Sequence, residues 1–241
     1  MSSVNLSKVN NWLQVVNKLP YLSSLHLESC NLPSIFSVWL VNSSTSLHSL
    51  DLSDNSLTSS SSVLQWLFNF NTSVDFLGEL PNCWMHFEGL KILNLANNHF
   101  HGKIPNSIGS LLGIEILDLS NNSFTGELPS SLKNCTKLKF VNLRDNKLSG
   151  QIPMWLGSSH PDLVVLFLRS NHFFGSIPSH LCHLTHLQLL DLALNHISGS
   201  IPKCINSLTA LTSPVLLTFS TVMTLHFGCG KEEISLVILD K

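Results

Sequence analysis

A phrase of sixteen residues recurs five times between residues 90 and 202. The copies share two aliphatic residues two apart, an asparagine, a glycine and a closing proline, and they start 24 or 25 residues apart at Leu90, Ile114, Leu138, Leu163 and Leu187. A fixed period in this range is typical of a solenoid, in which each copy forms one coil and stacked coils bury a shared core. The repeat therefore constrains the fold more than any other feature of the chain.

Each position of the phrase has a physical role. The two aliphatic residues, as in Leu93 and Leu95, lie on one face of a short strand and point into the core. Asn98, three residues later, is expected to turn the chain inward and to exchange hydrogen bonds with the backbone of neighbouring coils. The glycine permits a backbone conformation that side chains resist, and the Ile-Pro pair starts an extended stretch. Apolar residues at about every third position after the proline favour 3₁₀ turns on the convex side.

This phrase, with its G-x-[I/L]-P ending, resembles the plant-type leucine-rich repeat, LxxLxxLxLxxNxLxGxIPxx, over most of residues 4–206. The resemblance implies an α/β solenoid with a curved parallel sheet on the concave face and 3₁₀ or irregular turns on the convex face. It predicts about eight or nine coils, one of them shortened. Strand signatures are expected near 4–6, 25–27, 50–52, 93–95, 117–119, 141–143, 166–168 and 190–192.

The domain boundaries follow from where the phrase weakens. Residues 1–206 are interpreted as the repeat array, with a defective coil near 74–81 that lacks five residues of the phrase. Residues 207–233 are apolar and rich in Ser and Thr, which favours an irregular spacer; a membrane span is the alternative, although the apolar run is shorter than the ~20 residues that a span needs. Residues 234–241 are interpreted as the truncated start of a further coil.

The composition and the motifs exclude several functions. Charged residues make up 12% of the chain and the net charge is −2, which argues against nucleic-acid binding and against a disordered tail. No nucleophile signature or phosphate loop occurs, so the chain is not expected to be an enzyme or to need a cofactor. Three histidines at 180, 183 and 186 surround a cysteine; they are interpreted as an exposed convex stripe, with a zinc site as the alternative.

The phrases WLQVVNKLPYLSSLHLESCNL at 12–32 and IPKCINSLTALT at 201–212 resemble the ectodomains of plant receptor-like proteins. That resemblance implies a place at the extracellular face of the plasma membrane, a role in defence or developmental signalling, and a co-receptor or adaptor kinase as partner. The N-terminus shows no basic start and no apolar core of a secretory signal, so the chain is interpreted as a fragment or truncated copy. A soluble inhibitor resembling polygalacturonase-inhibiting proteins and a degenerate, non-binding copy are the alternatives.

The outward positions of the strands give the candidate binding face for a peptide, glycan or protein ligand, because solenoids bind partners on their concave surfaces. Phe140 and Phe167 beside Arg144 and Arg169 are residue types enriched at interface hot spots. An Asp118–Arg144 pair on a solvated face is the alternative. The full set of candidates is Asn94, Asp118, Phe140, Asn142, Arg144, Val165, Phe167, Arg169 and Asp191.

Two kinds of covalent modification are also expected. Cys182 and Cys204 follow the prolines of adjacent coils, and a disulfide between them would suit an oxidising compartment; two buried free thiols are the alternative. The tripeptide N-x-[S/T] marks candidate glycosylation sites. Asn134 and Asn42 are favoured, and Asn121, at the end of a strand, is expected to be shielded. The complete list is Asn5, Asn42, Asn71, Asn121 and Asn134.

Overall fold

The computed structural model describes residues 3–9, 12, 16, 19, 21–32, 46–58 and 80–208. Most of the defective coil near 74–81, nearly all of the spacer at 207–233 and the whole of 234–241 lie outside these residues, as do Asn42 and Asn71. Within the described ranges, no helix is both long enough and apolar enough to cross a membrane.

Seven three-residue parallel strands form a concave sheet, because each L-x-L pattern supplies one strand to its coil. The strands, in sheet order, are β1 (Ser24–His26), β2 (Ser49–Asp51), β3 (Ile92–Asn94), β5 (Ile116–Asp118), β7 (Phe140–Asn142), β9 (Val165–Phe167) and β11 (Leu189–Asp191). The aliphatic pair of the phrase faces the core: Leu93 and Leu95, for example, have no exposed surface. The predicted solenoid with a parallel concave sheet is confirmed.

A ladder of asparagine side chains joins the coils at the ends of these strands. Asn146 donates from Nδ2 to three carbonyl oxygens, those of Leu119, Leu143 and Arg144, at 3.0, 3.2 and 3.1 Å. Its Oδ1 accepts the N–H of Phe124 in the preceding coil at 3.0 Å. The same four kinds of hydrogen bond are made by Asn98, Asn122, Asn171 and Asn195. The inferred exchange of hydrogen bonds with neighbouring coils is therefore present in every copy.

A second parallel sheet, here called the lateral sheet, follows the asparagines and was not predicted. Its strands are β4 (His101–Lys103), β6 (Ser123–Gly126), β8 (Lys147–Gln151), β10 (His172–Gly175) and β12 (His196–Ile197). The repeated glycine lies in or beside these strands at positive φ, which is +91° at Gly150. A Cβ there would lie 2.7 Å from Cγ of Glu127 in the preceding coil. Glycine is thus required both by conformation and by the side chain stacked on it.

Short helical turns form the convex side, as the apolar spacing predicts. The 3₁₀ turns span Trp84–His86, Asn106–Ser110, Ser130–Asn134, Ser179–His183 and Lys203–Ser207, and one α-helical turn spans Trp155–Ser159. Four of the 3₁₀ turns begin directly after the proline of the phrase, whose fixed φ suits this entry.

The strand expected near 4–6 is absent, and the register assigned to this segment is wrong by several residues. The N–H of Ser3 donates to the carbonyl of Glu28, as Ser29 does to Ser53 one coil later. Leu6 therefore takes the place of Leu32, after the strand, rather than a place within it. Its N–H donates to the carbonyl oxygen of Cys30 at 2.8 Å. In other coils an asparagine Oδ1 accepts the corresponding N–H; Cys30 has no such oxygen, so its backbone accepts instead.

The concave sheet is continuous across the sequence interval that contains the predicted defective coil. Strand β2 is hydrogen-bonded directly to β3, with Leu50 opposite Leu93, although 43 residues separate the two leucines. The described residues contribute seven concave strands.

A buried histidine that the sequence analysis missed lies between two convex turns. His160 has no exposed surface, and its Nε2 and Nδ1 lie 3.1 and 3.4 Å from the carbonyl oxygens of Leu132 and Leu156. Burial lowers the pKa of His160, and the hydrogen bonds to these two carbonyl oxygens act in the opposite direction. A neutral ring has one N–H to donate, and the shorter contact, to Leu132, is the better place for it.

Acidification is expected to destabilise the array through His160. A lowered folded-state pKa means that the unfolded chain takes up the proton first, so the free energy of unfolding falls as pH decreases below the ordinary histidine pKa of about 6.5. One proton contributes at most about 1.4 kcal/mol per pH unit. Urea unfolding at pH 7.5 and 5.5 measures the effect. His160→Gln should weaken the pH dependence, whereas the exposed His183→Gln should retain it; equal slopes in both variants would contradict the assignment.

Candidate functional site

The outward side chains of the concave sheet form columns that cross the coils. The first column is apolar and tightly packed: Phe140, Val165 and Leu189 are only 7, 8 and 4% exposed and form a separate hydrophobic cluster with Ile116 and Phe167 at its edge. Phe140 and Val165 were predicted to contact a ligand. The structure places them on the concave face, but their neighbours cover them, so their main contribution is to support the residues beside them.

The second column is a polar ladder of aspartate and asparagine. Asn142 donates from Nδ2 to Oδ2 of Asp118 at 3.0 Å, and Asn94 does the same to Asp51 at 3.1 Å. The other oxygen of Asp118 accepts the hydroxyl and the N–H of Ser120, at 2.6 and 3.0 Å. Burial raises the pKa of Asp118, and the hydrogen bonds from Ser120 and Asn142 act in the opposite direction. The side chains of Asp118 and Asn142, both predicted site residues, are thus engaged in hydrogen bonds within the protein.

One accessible part of the face is a patch made by Phe167, Arg144, Arg169 and Asp191, here called the Phe167 patch. The ring of Phe167 meets that of Phe140 edge to face, with centroids 6.2 Å apart. Arg169 Nη1 lies 3.7 Å from Asp191 Oδ2, and Arg144 Nε lies 3.7 Å from Asp145. The alternative pairing of Arg144 with Asp118 is not formed, because Asp118 is occupied by Ser120 and Asn142.

The Phe167 patch has the chemistry of a contact surface. It offers one partly exposed aromatic ring and one carboxylate on strands, and two guanidinium groups from residues two positions after a strand end. Such a set can pack an apolar side chain and pair with a carboxylate of a partner. Among the described residues, no group of three or more His, Cys, Asp or Glu side chains converges as metal ligands would. His186 Nδ1 instead lies 3.0 Å from the carbonyl oxygen of Pro161.

The cysteines and sequons take well-defined places. Cys182 and Cys204 are joined, with their Cα atoms 5.8 Å apart, across adjacent convex turns. Cys30 and Cys135 are buried, and burial raises the pKa of the Cys135 thiol to about 12. The candidate glycosylation residues Asn5, Asn121 and Asn134 are all exposed. Asn121 is therefore not shielded as expected; its Nδ2 donates to Oδ1 of Asn97 at 2.7 Å.

An apolar pocket of about 380 Å³ beside β1 was also not predicted. Leu6, Trp12, Val16 and Leu25 are among its lining residues, and Ser24 and His26 supply its polar groups. Binding pockets place a few convergent polar groups to orient a ligand, and this lining offers little of that kind. It is better described as a loosely filled part of the core of the first coils.

Comparison with known proteins gives a consistent picture. The Leucine Rich Repeat family model matches residues 46–70, 89–111, 113–135, 137–159, 162–184 and 186–208, more than half of the chain. A curated relative, receptor-like protein EIX1 of Solanum lycopersicum, is 44% identical over 109 residues, which are 41% of this chain and 10% of the relative.

Solved plant receptor structures share the fold. The Arabidopsis receptor kinase HAESA, in complex with the peptide hormone IDA and the co-receptor SERK1, is 35% identical with a TM-score of 0.59, covering 69% of this chain and 25% of that one. The plant peptide hormone receptor RGFR1, in complex with RGF2, is 27% identical with a TM-score of 0.64, covering 80% and 32%. This chain thus spans only a third or less of each of these relatives.

Proposed function

Because this chain belongs to the leucine-rich repeat family, we propose that it is a non-catalytic, ligand-binding segment of the ectodomain of a plant receptor-like protein, acting in defence or developmental signalling at the extracellular face of the plasma membrane. The observation that carries the proposal is the Phe167 patch, an aromatic ring flanked by two arginines on the concave sheet. A peptide or protein ligand would bury Phe167 and pair with Arg144 and Arg169.

The arrangement of the columns supports a preformed site. The apolar column packs against Phe167, and the Asp118–Asn142 hydrogen bond fixes the residues that precede Phe167 in its own column. A ligand would therefore meet side chains that have already lost much of their rotamer freedom, which lowers the entropic cost of binding. HAESA was solved with the peptide hormone IDA, and RGFR1, a plant peptide hormone receptor, was solved with RGF2, which favours a peptide over a glycan as the ligand.

Partners and modifications are proposed on the same basis. HAESA was solved together with a co-receptor, and an analogous co-receptor or adaptor kinase is the expected signalling partner of the complete protein. The Cys182–Cys204 disulfide suits an oxidising extracellular compartment. Glycosylation is proposed first at Asn134, which is exposed at the end of a convex turn and away from the concave sheet. The mass of secreted protein before and after glycosidase treatment checks this.

Loss of the Phe167 patch is expected to weaken peptide binding strongly. The test selects binders to the wild-type chain, expressed with an added signal peptide, from a displayed library of random peptides. Phe167→Ala combined with Arg169→Ala should lower the affinity for the selected peptides about tenfold or more, because hot-spot residues of this kind contribute most of the binding energy of an interface. Leu112→Ala combined with Lys137→Ala, which removes an exposed apolar and a cationic side chain from the opposite surface, is the matched control.

The possible binding results lead to different conclusions about the site. Thermal melts show whether each double variant is folded before its binding is measured. Peptides that bind the folded Phe167→Ala/Arg169→Ala variant as tightly as the wild type would overturn the placement of the site on the concave sheet. Equal losses in both double variants would show that the selected peptides recognise no defined surface.

A further inference from the structure

The outward face of the lateral sheet carries a group of side chains that the concave site does not use. Alternation along each strand sends one residue inward and its neighbours outward, so Phe173 is fully buried while His172 and Phe174 are exposed. The same pattern exposes His101 and Lys103 on β4, and Lys147 and Gln151 on β8. The name lateral face is used below for these outward side chains and the exposed His196 of β12.

The charge on the lateral face is mainly cationic and is not neutralised within the described part of the chain. Lys103 and Lys147 take part in none of the ion pairs found there. The stem of Lys103 lies over Gly126, with Cγ 3.2 Å from the place of a Cβ, and this contact orients the side chain along the sheet. One exposed carboxylate, that of Glu127, follows β6, and its side-chain stem lies over Gly150. A protein with a net charge of −2 thus presents a local surface suited to an anion.

Flat ring faces accompany the cations. Phe174 is 49% exposed although strands lie on both sides of it. The imidazoles of His172 and His196 stack nearly parallel, with centroids 5.7 Å apart and an interplanar angle of 10°. An exposed phenyl ring offers a surface for the C–H face of another ring, and imidazole nitrogens and the Gln151 amide can hydrogen-bond hydroxyl groups beside it.

We propose that the lateral face binds an acidic polysaccharide, a chain of uronate sugars lying across the strands. Lys103 and Lys147 lie on one line of paired residues across β4, β6 and β8. Phe174 lies on the line of Gln151 and His196, four residues further along β8, so a chain that contacts both lysines and Phe174 crosses the strands obliquely. The uronate carboxylates pair with Lys103 and Lys147, and one sugar ring stacks on Phe174 beside the two imidazoles.

The experiment measures binding of oligogalacturonate to the full chain by calorimetry at low salt, with fully methyl-esterified oligogalacturonate as the uncharged probe of the same backbone. Removing one exposed charge costs about two- to fivefold in affinity, so Lys103→Gln with Lys147→Gln should weaken binding roughly tenfold. Lys133→Gln, an exposed lysine on a convex turn, should leave it unchanged. Phe174→Ser should weaken binding severalfold, whereas Met154→Ser, at an exposed apolar residue of the convex side, should not.

Other results would contradict the proposed polysaccharide site. Equal affinity for the methyl ester, or full affinity in the Lys103→Gln/Lys147→Gln variant, would overturn the proposal. Polyglutamate binding as tightly as oligogalacturonate, with the same lysine dependence, would show a general polyanion surface and overturn the assignment to a saccharide. Because the variants lie outside the concave sheet, peptide binding at the Phe167 patch should be unaffected by all of them.

Discussion

Replacing Asn146 by aspartate is expected to destabilise the array more than any change on its surface. The new side chain has the same shape and can still accept the N–H of Phe124 through one oxygen. Its second oxygen would face three carbonyl oxygens that now receive hydrogen bonds at 3.0 to 3.2 Å. A buried carbonyl without a donor costs about 1–3 kcal/mol, and an unpaired buried carboxylate costs more. We expect a loss of roughly 3 kcal/mol or more in the free energy of unfolding.

The pH dependence of this variant identifies the cause. A carboxyl surrounded by carbonyl oxygens is favoured in its protonated form, which has an O–H to donate, so part of the lost stability should return as pH falls. Asn97→Asp is the matched control: Asn97 is exposed, and the new carboxylate can still accept the Nδ2–H of Asn121. It should change stability by about 0.5 kcal/mol or less. Unfolding of Asn146→Asp at the wild-type urea midpoint would contradict the account.

The asparagine ladder was predictable because each asparagine belongs to a short local sequence pattern that the chain repeats. Each asparagine follows the strand by a fixed number of residues, and a turn that buries backbone groups needs a side chain that both donates and accepts. Five copies in register made the period certain. The first coil lacks this support. Its Val4-x-Leu6 fits both the strand pattern and the segment after the asparagine, and the register was misassigned because no asparagine marks the coil.

Neither the lateral sheet nor the exposure of the concave residues could be predicted from the sequence, for two different reasons. The lateral strands have two to five residues, their outward side chains vary from coil to coil, and their pairing joins segments more than twenty residues apart. Alternation predicts that Phe140 faces outward, and it does. It does not predict that Val165 and Leu189 of the next coils cover the ring. Burial on the concave face depends on side chains from three coils together, so Phe140 is covered while Phe167 stays half-buried and Arg144 is exposed.

Gly157 is expected to tolerate no side chain, not even alanine. A Cβ at this position would overlap the carbonyl group of His180 in the next convex turn and lie 2.8 Å from the backbone nitrogen of Leu181. Because the obstacle is backbone, no rotamer change relieves it, and the two coils must separate. Cys182 and Cys204 occupy the equivalent contact between the next two turns, which shows how closely the coils approach on this side. The loss should reach the upper end of the ~1–3 kcal/mol typical of overpacking.

Calorimetric melts of Gly157→Ala test this spacing directly. A loss of that size lowers the melting temperature by about 6–10 °C in a protein of this length. Gly89→Ala is the control, since a Cβ at Gly89 meets its nearest atom, the carbonyl oxygen of Leu47, at 3.7 Å. Hydrogen exchange should show the added opening in the turns at 155–159 and 179–183, because coils contact only their neighbours. Melting temperatures that agree between the two variants would mean that the convex turns are free to slide apart, and that close packing of the turns does not hold this side of the array.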